Sequence, residues 1–133
     1  MLLEAQQKYT GAKCDIDYVN SILLSGAVVG IIAPLLEEQG GHPMHEILAR
    51  ITNVISSEDD EKCHKGVFRQ TYNSFKHAGN NRKNIKPSED LELETNVKLE
   101  AGRMLEVAIS DFKEITVSNE VRNSISQEFI NLL

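Results

Sequence analysis

Four histidines and two cysteines have the widest chemical reach in this 133-residue chain. His42 and His45 stand three apart near the start of a helical pattern, a spacing that puts two imidazoles on one helix face within reach of a transition metal. A metal site needs a second pair, and none follows at ligand spacing. Cys63 and His64 are adjacent, so on a helix they point about 100° apart, and His77 has no neighbour of ligand type. His42 and His45 therefore read as capping or surface residues, and neither a metal nor a cofactor is expected. Neither Cys14 nor Cys63 lies in a nucleophile elbow or a protease signature. Gly40-Gly41 is followed by His-Pro, not by the strand–loop–helix pattern of a phosphate-binding loop. Covalent catalysis is not expected.

Charge is distributed in blocks. Residues 1–61 hold three basic and ten acidic side chains, and residues 88–133 hold four and ten. Between them Lys62, Lys65, Arg69, Lys76, Arg82, Lys83 and Lys86 occur with no acid, although the whole chain carries −6. Such a block fits two readings: an anion-binding face, or a helix packed between acidic neighbours of its own chain. On the first reading Lys76, Arg82, Lys83 and Lys86 are the phosphate contacts, with affinity falling steeply as salt rises.

Arg69, Gln70, Asn73 and His77 on one helix resemble the motif of the HEPN family of small helical ribonucleases and toxin partners. In that family an Arg is followed by a polar residue and, after four to six residues, by His. Here seven residues separate Arg69 from His77. The resemblance implies a metal-independent ribonuclease with Arg69, Asn73 and His77 as its catalytic residues, or a nucleic-acid-binding protein.

These residues depend on the elements that carry them, and those elements are organised around Tyr18 to Leu36, 19 residues without a charge. A membrane-spanning helix needs about 20 apolar residues. This stretch contains Asn20, Ser21, Ser25 and Pro34, has acids on both flanks, and lacks a Lys/Arg cluster at either end. No signal peptide is read at Met1–Thr10. The expectation is a helix over about 16–39, buried on most sides of a helical domain. Gly26 and Gly30 lie one turn apart, where a neighbouring helix can approach closely. Pro34 removes a backbone donor, and Gly40-Gly41 stops the helix. Asp15 or Asp17 is expected to cap its start.

Around it, residues 1–8 predict a short helix with Leu2, Leu3 and Ala5 inward. Met44, Ile47, Leu48, Ile51, Val54 and Ile55 give an amphipathic stripe beginning after Pro43. Val67, Phe68, Thr71, Tyr72 and Phe75 give another over about 59–78. Asn80–Asp90 reads as a loop. Thr95 or Asn96 caps a long helix in which Val97, Ala101, Met104, Leu105, Ala108, Ile109, Phe112 and Ile115 face inward. A last helix from Ser118 places Val121, Ile125, Phe129 and Leu132 on one face. No two strands pair.

Two stretches are similar to an uncharacterised family of small bacterial helical proteins. They are Leu24-Ser25-Gly26-Ala27 running on to Gly40-Gly41, and Asn73-Ser74-Phe75-Lys76-His77-Ala78. Members often carry glutamates after the glycine-alanine pair, where this chain has Val28 and Val29. That resemblance implies a helical fold and no particular activity.

The reading is an all-α single domain, residues 1–133, with five or six helices around the central one. Two cysteines make no disulfide framework, which fits a reducing cytoplasm. The stripes offer more apolar surface than a chain of this size hides, so a homodimer is expected. The function expected is a cytoplasmic interaction or scaffold domain without catalytic activity, membrane association or a small-molecule ligand.

Overall fold

A computed structural model describes residues 1–56, 70–76 and 95–115. They form five helices and no strand: α1 (Leu2–Thr10), α2 (Asp15–Glu38), α3 (Met44–Ser56), α4 (Gln70–Lys76) and α5 (Val97–Ile115). The all-α architecture read from the sequence is therefore found. The expected helix from Ser118 and the loop 80–90 lie outside the described residues.

The core forms where α2 packs on α5, its most extensive partner, and on α1. Ile22, Val29, Ile32, Ala33 and Leu36 of α2 meet Ala101, Met104, Leu105 and Ala108 of α5, with Leu2 and Ala5 of α1 closing one end. Small side chains on α5 (Ala101 and Ala108) let its backbone approach α2. A polar tie reinforces the α1 contact: Ser21 Oγ donates 2.8 Å to the Ala5 carbonyl, fully buried. Tyr9 meets Tyr18 edge-on at 5.8 Å between ring centroids, an orientation that ring quadrupoles favour. On another side α4 lays Tyr72 against α2 at Gly26, while Thr71 Oγ1 donates to Glu100 Oε2 of α5 at 3.4 Å.

Local chemistry explains the helix ends. At the start of α2 neither Asp15 nor Asp17 is the N-cap; Cys14 is, without a side-chain cap bond. Asp17 instead sits in the first turn and reaches back, its Oδ2 accepting the Lys13 N–H at 3.0 Å. This bond is the main reason its carboxyl lies below the usual range; partial desolvation opposes it, and the Cys14 thiol and Lys8 ammonium add to it. The stop at Gly40-Gly41 is a Schellman motif. Gly40 adopts φ +78°, the Gly41 N–H donates to Leu36 at 2.8 Å, and the Gly40 N–H donates to Glu37 at 3.0 Å. Pro34 lies inside α2, which continues to Glu38. Asn96 caps α5, its Oδ1 accepting the Leu99 N–H at 3.0 Å.

Two packing expectations are corrected. α2 is buried along one side, not most sides: nine of its 24 residues are buried, at helical spacing. Of its two glycines Gly26 lies closely against Tyr72 of α4, and Gly30 is exposed. The second correction concerns α3. Its apolar stripe does not face the domain.

Candidate docking surface

α3 is turned outward. Its buried residues are His45, Glu46 and Ala49, whereas Ile47, Ile51, Val54 and Ile55 are exposed, Val54 by 82% and Ile55 by 79%. Met44 and Leu48 are half-buried. Burying a side chain of this size is worth about 1.5–3 kcal/mol, so a helix with this orientation is held by something other than its own stripe. One contact to α5 is at its start. The Met44 N–H donates 2.6 Å to Asp111 Oδ1 of α5, and Asp111 is only 1% exposed. A carboxylate there satisfies a free first-turn donor and meets the positive end of the helix dipole. Behind it Pro43 is buried, and its carbonyl accepts the Glu46 and Ile47 N–H groups at 2.9 and 3.2 Å. Glu46 pairs along the helix with Arg50 and lies 3.7 Å from His42 Nδ1.

The second bare surface is on α2. Gly30, Ile31, Pro34 and Leu35 are exposed, Ile31 by 53% and Leu35 by 43%. On a helix, residues four apart form oblique rows. Leu23, Ala27, Ile31 and Leu35 make one row, which rises as a ridge at Ile31 and Leu35. The adjacent row, Gly26, Gly30 and Pro34, is low, because Gly30 has no side chain and the Pro34 ring stays close to the backbone. A ridge beside a groove of the same pitch is complementary to a second copy of itself.

An open cleft of about 300 Å³ lies between the turn after α2, α3 and α5, lined by His42, Met44, Ile47, Ser110, Asp111 and Glu114 among others. It brings the His42 imidazole, the Ser110 hydroxyl and the Asp111 and Glu114 carboxylates to one cleft, and Asp111 is bound to the α3 N-terminus.

The residues singled out from the sequence fall as follows. His42 is exposed and His45 buried, and both lie at the start of α3. They are not joined by further ligands: among the described residues no group of three His, Cys, Asp or Glu side chains is arranged to hold a metal ion. Of Arg69, Asn73 and His77, Asn73 is described, half-buried on α4; Arg69 and His77 lie outside the described residues, so the three are not seen together. Lys76 ends α4, and Arg82, Lys83 and Lys86 lie outside the described residues. Asp111 was not singled out. Its signal was present, since it occupies a position of the α5 apolar stripe between Ala108 and Ile115, where a carboxylate needs a buried partner.

Among the described residues α2 is the one helix long and apolar enough to cross a membrane, and half of its most apolar window is buried within the domain. Comparison with protein-family models, curated proteins and solved structures gives no match.

Proposed function

We propose that this chain is a non-catalytic helical interaction domain that assembles with a second copy through the bare edge of α2. One observation carries the reading: the exposed ridge Ile31–Leu35 lies directly beside the exposed groove Gly30–Pro34. Two such edges related by a two-fold axis fill each other's grooves, ridge into groove, at a crossing angle of about −50°. The contact is isologous, so it closes at a dimer rather than extending into a fibre. Glu37 and Glu38 follow the edge, and helices crossed at that angle diverge toward their ends, which keeps the two acidic pairs apart.

The same edge would also suit a lipid environment. The packed side of α2 supports a water-soluble domain instead: it is covered by α1, α4 and α5 and includes the buried Ser21–Ala5 hydrogen bond. A cytoplasmic setting accords with the exposed free thiol of Cys14.

Ile31→Glu and Leu35→Glu test the reading. Each puts a charge into the centre of the contact while the packed side of α2 is untouched. Light scattering should show the mass fall to that of one chain, with helical circular dichroism retained. Full-mass assemblies in both variants would overturn the proposal.

A further inference from the structure

We propose that Tyr72 fixes where the two α2 helices of the dimer cross, by closing the low row of α2 one turn ahead of Gly30. This role rests on assembly through the α2 edge and sets the register of that contact.

Residues four apart continue the low row in both directions, from Gly26 through Gly30 and Pro34 to Glu38. Its four positions are not alike. At Gly26 the row already receives a side chain from another helix. The Tyr72 ring of α4 lies where a Cβ of residue 26 would stand, and both residues are buried. The row therefore accepts a large side chain over a position that has none of its own. Gly30 and Pro34 are exposed, and they are where a second such side chain, the partner copy's Ile31, is seated. At Glu38 the row ends in an exposed acidic residue beside another, Glu37.

These two ends decide the crossing point. Moving it one turn toward the start of α2 would bring the partner's ridge onto Gly26. That place is taken by Tyr72, which is 5% exposed and part of the core that α1, α2 and α5 share. Moving it one turn the other way would seat the ridge on Glu38 and draw the Glu37-Glu38 pairs of the two copies together, and juxtaposed like charges oppose association. One turn is about 5.4 Å, so the alternatives are discrete. With Tyr72 absent, Gly26–Gly30 would offer the same shape as Gly30–Pro34, and spacing would no longer separate the two crossings. Tyr72 touches its own α2 rather than the partner, and it acts on the contact as a positioning residue.

Disulfide crosslinking reads the crossing point, because two cysteines bridge only when their Cα atoms come within about 4.4–6.8 Å. The full chain carries Cys14→Ser and Cys63→Ser as background. Ile31→Cys then reports the proposed crossing, and Ala27→Cys reports the place one turn ahead of it on the same ridge. Ile31→Cys should form the covalent dimer several-fold faster than Ala27→Cys. In Tyr72→Ala that preference should disappear, with Ala27→Cys rising to the rate of Ile31→Cys, whereas Tyr72→Phe, which keeps the ring, should retain it. Adding Gly26→Leu to Tyr72→Ala refills the place from α2 itself and should restore the preference, a recovery that a loss of stability alone does not predict. Should Tyr72→Ala not fold by circular dichroism, Tyr72→Val leaves more apolar surface in the core and still uncovers Gly26. A preference for Ile31→Cys that persists in the folded variant lacking the ring would overturn the proposal and leave the dimer standing, as would equal rates in a parent that is dimeric by light scattering. No crosslink at either position in a monomeric parent would overturn the dimer and the role of Tyr72 together.

Discussion

Gly26→Ala makes the packing of α2 measurable. A Cβ at this position would overlap the Tyr72 ring, with the nearest ring carbons closer than real Cβ atoms come to a neighbour. Tyr72 is only 5% exposed, so the ring has little room to retreat. Overpacking of this kind costs about 1–3 kcal/mol. Against it, alanine in a helix interior gains about 1 kcal/mol over glycine. The net expectation is a loss of about 0–2 kcal/mol, small enough to be ambiguous alone. The decisive comparison is the same substitution after Tyr72→Ala. That background is itself destabilised, by about 3–5 kcal/mol if a tyrosine behaves like other large aromatics. With the ring gone, the propensity gain is unopposed and Gly26→Ala should stabilise by about 1 kcal/mol. Urea unfolding of the four proteins gives the coupling, expected at about 1–3 kcal/mol. A Gly26→Ala effect of the same sign and size in both backgrounds would refute the contact.

Three further outcomes follow from the geometry. Asp111→Ala removes the acceptor at the start of α3 and should cost about 1.5–3 kcal/mol in urea unfolding, the range for a hydrogen bond to a charged group; a neutral effect would mean that α3 is positioned by other contacts. Asp17 has a folded pKa below its ordinary value, so its contribution is present above the unfolded value of about 3.9 and is lost as pH falls through the folded one. The thermal stability advantage of the parent over Asp17→Asn should therefore be constant near neutrality and vanish in strong acid; an advantage that grows on acidification would contradict the assignment. An RNA cleavage assay without divalent metal should show no activity that His77→Ala or Arg69→Ala abolishes, and such activity would replace the interaction reading with the ribonuclease one.

Much of the architecture was legible because it rests on periodicity. The stripe from Val97 to Ile115 coincides with α5, and the uncharged run with its Gly-Gly stop gave α2 within a residue at either end. What periodicity does not carry is direction. The α3 stripe is as regular as that of α5, yet it points outward, because a pattern shows which side of a helix is apolar and not what stands opposite. A contact at its start, Asp111 to Met44, joins residues 67 apart in sequence. Gly26 and Gly30 are equivalent by spacing, yet Gly26 is packed against Tyr72 and Gly30 is exposed. Asp17 matched a cap by type, but its carboxylate turns back to Lys13 from inside the first turn. The candidate site was half readable for the same reason. The apolar run announced surplus surface, while the choice of Ile31 and Leu35 as its bare part depends on where α1, α4 and α5 pack.

Sedimentation of the parent chain and of Gly30→Leu across a concentration series tests the central claim most directly. Gly30 is exposed, so leucine there fills the proposed groove without entering the core. The parent should approach twice the 14.9 kDa of one chain as concentration rises, whereas Gly30→Leu should remain a folded monomer. A parent that stays monomeric at every concentration, or a Gly30→Leu protein that dimerises as readily as the parent, would contradict assembly through the edge of α2.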